Sequence, residues 1–147
     1  MRTHVSFQSD FSQDAGPSEP AGRELAQWIA SGLRAAGYTV GTPANLENYA
    51  YSFDCGKANV AHTITVALVG DGVLEWLVLA EPKISTARRL LAKVGIKPGQ
   101  PSASPELGTL VTSIHELLRA DPHIRSIRWY TTEEWDNDPE QHWTRSP

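Results

Sequence analysis

The sequence predicts an α+β fold: a two-layer sandwich with a mostly antiparallel sheet and about three helices on one face. Three observations carry this. Two long segments show a single apolar stripe at helical spacing, several shorter ones alternate apolar with polar residues, and glycine or proline marks the joints between them. The predicted order is β-α-β-β-β-β-α-α-β within one domain, residues 1–132. Residues 133–147 then form an acidic, aromatic tail packed on or next to it.

Val5 and Phe7 alternate with Ser6 and Gln8, which predicts a short opening strand. Ser9 to Pro20, rich in Ser, Asp, Gly and Pro, reads as a loop. A helix is expected from about Glu19 to Ala36, because Leu25, Trp28, Ile29, Gly32, Leu33 and Ala36 share one face, with Gly37 placed for a left-handed cap. Tyr38 to Val40 suggests a short strand and Gly41 to Asn48 a loop. Tyr49, Tyr51 and Phe53 then alternate with Ala50, Ser52 and Asp54 as a strand with one aromatic face. His62 to Val69 and Val73 to Ala80 are joined by Gly70-Asp71-Gly72, a hairpin signal. Ser85 is expected to cap a short helix carrying Ala87, Leu90, Leu91 and Val94, closed by Gly95, with a linker from Pro98 to Pro101. Ser104-Pro105-Glu106 supplies cap, first-turn proline and an acid at the positive helix end. The helix it opens carries the stripe Leu107, Leu110, Val111, Ile114, Leu117, Leu118. Ile124 to Tyr130 closes the domain as a strand with Ile127 and Trp129 on one side.

With 147 residues, 40% apolar and 20% charged, the composition is that of an ordinary globular domain. No apolar run reaches the length that spans a bilayer, residues 1–20 do not resemble a signal peptide, and the lone Cys55 cannot form an internal disulfide. These point to a reducing bacterial cytoplasm. Charge is unevenly spread. Residues 1–84 carry 5 basic and 9 acidic side chains, residues 85–132 carry 7 and 3, and residues 133–147 carry 1 and 5. A uniformly basic footprint is missing, so no nucleic-acid partner is expected. Pairing of the basic block with the tail is the simplest expectation.

Pro20, Gly22, Leu25-Ala26-Gln27-Trp28, Gly32-Leu33 and Gly37, with Arg88-Arg89-Leu90 and Ile127-Arg128-Trp129-Tyr130, resemble a group of small bacterial cytosolic proteins that have no assigned activity. In that group the stretch at Glu47-Asn48-Tyr49-Ala50-Tyr51 tends to hold tryptophans where this chain has tyrosines. The resemblance covers most of residues 1–130 and implies a fold but no activity.

Catalytic and metal signatures are weak. Cys55 follows Asp54 and precedes His62 by seven residues, which keeps a small cysteine hydrolase or acyl-transfer enzyme as an alternative. However, no helix start or glycine elbow stands beside it to activate the thiol. No histidines pair at i, i+4, and Gln141 stands where a calcium loop starting at Asp136 requires glycine, so neither metal nor cofactor is expected. Gly95 to Gln100 holds glycines and a lysine but is broken by Pro98, which argues for a linker rather than a phosphate loop.

The tail carries the functional expectation. Trp129, Tyr130, Trp135 and Trp143 stand among Glu133, Glu134, Asp136, Asp138 and Glu140, answered within the tail by Arg145 alone. Aromatic anchors beside carboxylates suit a surface that grips a basic protein partner. The expected contact residues are Glu133, Glu134, Trp135, Asp136, Asp138 and Trp143, joined by Glu47 and Tyr49. The expected role is a non-enzymatic binding protein, for instance an immunity-type protein that neutralises a toxin, as a monomer or homodimer. A homo-oligomeric accessory protein is a further alternative. The competing expectation is a tail that folds back and pins itself to the sheet, and burial of Trp135 and Trp143 decides between them.

Overall fold

Among the described residues seven strands join in one antiparallel sheet, the longer ones built on period-two alternation. The computed structural model describes residues 1–70, 75–83, 94–95 and 104–147. The strands are β1 (His4–Gln8), β2 (Thr39–Val40), β3 (Ala44–Leu46), β4 (Ala50–Lys57), β5 (Val60–Leu68), β6 (Glu75–Pro82) and β7 (Arg125–Tyr130). The helices are α1 (Arg23–Ala35), α2 (Pro105–Ala120) and α3 (Thr132–Asn137). The sheet runs β2-β4-β5-β6-β1-β7, and β3 follows β2 along the outer side of β4. The fold is α+β.

Cross-strand registers put Val5, Phe7, Phe53, Ile64, Val66, Trp76, Val78 and Trp129 on one face, where they meet Leu25, Ile29 and Leu33 of α1 and Leu110, Ile114 and Leu118 of α2. That face is the core. The two helical stripes read from the sequence are the faces buried, with Trp28 and Leu117 at the margin and Ala36, just past the end of α1, exposed. Both strands of the predicted hairpin pair from His62↔Pro82 to Leu68↔Trp76, while residues 71–74 of its turn lie outside the described residues. The expected helix at 85–94 and the linker at 98–101 also fall outside them, apart from Val94, which lies in a turn with Gly95.

Three expectations need correction. Helix α1 begins at Arg23, not Glu19, because Gly22 takes φ 109° at the N-cap and a Cβ there would lie 3.0 Å from Trp76. Its other end is as expected: Gly37 has φ 96°, and the Gly37 and Tyr38 N–H groups reach the Arg34 and Leu33 carbonyls, a Schellman ending. Tyr49 does not share the aromatic face of Tyr51 and Phe53. Glu47 and Asn48, with φ 49° and 63°, form a tight turn closed by Tyr49 N–H to Leu46 C=O at 3.1 Å, which leaves Tyr49 58% exposed. The expected loop Gly41–Asn48 contains β3, an edge strand stabilised by pairing with β4 despite its weak strand formers. The two long helices α1 and α2 lie together on the core face, as the two-layer α+β sandwich requires. The six-residue α3, not foreseen in the tail, packs on the face away from the core, against His4 and Tyr130.

Candidate functional site

The tail begins as a capped helix. Thr131 Oγ1 accepts the Glu134 N–H at 3.1 Å, and Glu134 Oε2 accepts the Thr131 N–H at 2.8 Å, a reciprocal capping box. Glu134 Oε1 takes the Arg2 guanidinium at 2.9 Å. The Thr131 backbone N–H, with Arg2 behind it, holds this carboxyl below the ordinary carboxylate range. Trp135 meets Tyr130 edge-on with centroids 5.2 Å apart and stacks on His4 at 6.4 Å. Tyr130 in turn shares a 3.1 Å hydrogen bond with Ser6. Burial pushes the His4 pKa down, with Asp136 pulling the other way. The chain then doubles back. Trp129 N–H donates to Thr144 C=O at 2.8 Å and Thr144 N–H to Trp129 C=O at 3.0 Å, so one residue of the tail pairs with the outer edge of β7. Trp135 is thus part of a clasp that pins the tail. Trp143 stays 37% exposed, with the Arg128 guanidinium 5.0 Å above its ring.

Between this returning segment, the last turns of α2 and the outer edge of β7 lies a groove of about 640 Å³. Its walls are His115 and Arg119 of α2, Ile124, Arg125, Ser126, Ile127 and Arg128 along β7, and Trp143 and Arg145 of the tail. Four arginines converge there, and no carboxylate lines the groove among the described residues. Arg125 reaches Asp10 at 3.3 Å and Arg119 lies 3.9 Å from Glu116, both pairs solvent-exposed. Arg128 and Arg145 have no ion-pair partner among the described residues. Trp129 Nε1–H donates to His115 Nδ1 at 3.1 Å; indole nitrogen is only a donor, so Nδ1 accepts and the neutral ring carries its proton on Nε2. Fixed cations with an aromatic wall bind anions.

Of the expected contact residues, Trp143 alone lines this groove. Glu133 and Asp136 are exposed on α3, Asp138 is half-buried at its C-terminal cap, and Glu134 is occupied by Arg2 and Thr131. Four cations of the basic block, Arg88, Arg89, Lys93 and Lys97, lie outside the described residues; among those described, Glu134 is met by Arg2 from the chain start, and Arg128 meets the tail through the Trp143 ring. Glu47 and Tyr49 sit at the opposite edge of the sheet. With β5, β6 and β1 between β4 and β7, they are separated from the tail by roughly 19 Å. Sequence reasoning missed His115, Arg119, Arg125 and Arg145. The first two fall at i, i+4 on one helix face, a visible signal, but only the fold brings that face to β7 and the tail.

Comparison with protein-family models, curated proteins and solved structures finds no match for this chain.

Cys55 and His62 do face each other, as a directly opposed pair on β4 and β5. Burial, with Asp54 adding to it, pushes the thiol up to about 11, so it is protonated at neutral pH and cannot act as a ready nucleophile. Asp54 falls on the other face of β4, where it takes Lys83 at 2.7 Å and Thr63 at 3.2 Å, too far round the strand to orient His62. His62 is 3% exposed, its Nδ1 has no partner among the described residues, and burial lowers its pKa while Glu106 opposes the shift. It lines a second cavity, of about 220 Å³, together with Tyr38, Lys57, Glu106 and Thr109. No cluster of three metal-ligating side chains forms among the described residues.

Proposed function

We propose that this is a non-enzymatic binding protein that docks an anionic partner in the groove between α2, β7 and the C-terminal clasp. One observation carries the reading: Arg119, Arg125, Arg128 and Arg145 line a single groove with Trp143, and no carboxylate stands in its walls among the described residues. Arginine guanidinium groups pair with carboxylates in forked geometry, and a partly exposed tryptophan supplies apolar contact area. The protonated thiol of Cys55 speaks against nucleophilic catalysis. The test compares immobilised poly-L-glutamate with poly-L-lysine. Retention on poly-L-glutamate, weakened by salt and lost in an Arg128→Glu/Arg145→Glu variant, is the expected result. Equal retention of that variant overturns it.

A second reading keeps the basic protein partner foreseen from the sequence, with an immunity-type protein as one instance. Exposed Glu133 and Asp136 on α3, which have no ion-pair partner among the described residues, favour it. Retention on poly-L-lysine, abolished by Glu133→Lys/Asp136→Lys, selects this reading over the first.

A further inference from the structure

We infer that the occupant of the groove is an acidic peptide in extended conformation that adds as a strand to the outer edge of β7; this rests on the anionic-partner reading above. Side chains along a strand alternate between faces, so a groove floored by one face is lined by every second residue. Here Arg125, Ser126, Ile127 and Arg128 all line it, and so does His115 from the core side. The groove therefore runs along the strand edge rather than over a face. Among the described residues that edge is open from Arg125 to Arg128: β7 ends the sheet, and the returning tail makes backbone hydrogen bonds to it only through the Trp129–Thr144 pair. The same pair shows that an extended segment fits this edge in antiparallel register. Within the open stretch β7 bulges against β1 between Arg125 and Arg128, with Ser126 at φ 57°, and a bulge leaves backbone groups of its own strand unpaired.

The charges choose the occupant. Arg125 and Arg128, in register with Gln8 and Ser6, lie on the face of the sheet away from the core, where they complement carboxylates on alternate residues of an added strand, which share one face. A long nucleic acid fits poorly, because Asp10, Glu116 and Asp121 flank the groove and the whole chain carries a net charge of −4. A short acidic strand stays within the cationic strip.

The experiment uses the full chain and an eight-residue peptide alternating glutamate with threonine, titrated by calorimetry. Two N-methylated forms carry the methyl groups on one or the other alternate set of amides, and inorganic phosphate and an eight-nucleotide oligothymidylate serve as further ligands. Only one alternate set of amides faces β7. The expected result is that the parent peptide binds, one methylated form loses at least about tenfold in affinity, and the other stays within about twofold. If both methylated forms bind like the parent, strand addition is overturned while the anionic-partner reading stands. If oligothymidylate or phosphate binds and the peptide does not, the peptide is the wrong occupant. If none of them binds, the anionic-partner reading itself falls.

Discussion

Ala58 occupies a backbone conformation that side chains with a Cβ adopt only at a cost. With Asn59 it forms the two-residue turn between Lys57 and Val60, at φ 53° and 64°, where asparagine and glycine are the favoured residues. The left-handed region costs an L-residue about 1–2 kcal/mol, partly offset because glycine gains freedom in the unfolded chain. Ala58→Gly is therefore expected to stabilise the protein by about 0.5–1 kcal/mol, read as a higher urea midpoint. A lower midpoint would contradict the assigned turn. At this scale the sequence is only half legible. Asn48 and Asn59 are ordinary turn residues, but Glu47 and Ala58 beside them carry no such signal and take positive φ because the strands on either side dictate it. Gly22 shows the converse: its glycine was visible, yet its role as the stop before α1 depends on Trp76, more than fifty residues away.

Among the elements, α3 is the one whose stability is local. It spans six residues, buries none of them fully, and relies on its capping box and on Trp135 against Tyr130 and His4. Removing the Thr131 hydroxyl is expected to cost the clasp about 1 kcal/mol. In a Thr131→Ala variant, hydrogen exchange of the Thr144 amide should rise roughly fivefold while core amides such as Val78 stay unchanged. A uniform rise across the sheet would mean that the clasp and the core open together. The long helices were readable because their stripes repeat over several turns and each carries a strong end signal, Gly37 after α1 and Ser104-Pro105 before α2, whereas the uncapped start of α1 was not. The capping pattern Thr131-x-x-Glu134 was equally present, but six residues give no stripe, and the acidic run drew attention to charge instead. Edge strand β3 escaped notice for a related reason: Ala44-Asn45-Leu46 has little strand preference, and its pairing with β4 supplies what propensity does not.

For the molecule as a whole, stability is expected to fall in acid. Burial is the main cause that lowers the pKa values of both His4 and His62 from the ordinary 6.5. Above that pH both rings are neutral in folded and unfolded chains and contribute no pH dependence. Below it the unfolded chain takes up protons that the folded chain resists, so stability falls with pH until the folded values are passed. Glu134 adds a second loss in stronger acid, because its lowered pKa favours the folded state only while the carboxyl is ionised. The expected urea midpoint is flat from pH 8 to 7, declines from about pH 6.5, and declines less in a His4→Gln variant; a constant midpoint down to pH 5 rules this account out. The whole-molecule view also explains why the groove was hidden in the sequence. Its cations come from α2, β7 and the tail, each mixed with acids locally, and the sheet order alone brings them to one edge while sending Glu47 and Tyr49 to the other. Sheltering of the single thiol has a practical side. Cys55 is 1% exposed and protonated at neutral pH, so a cysteine introduced on the groove rim would be the one site a maleimide dye reaches. The protein is ready for site-specific labelling without first removing a native residue.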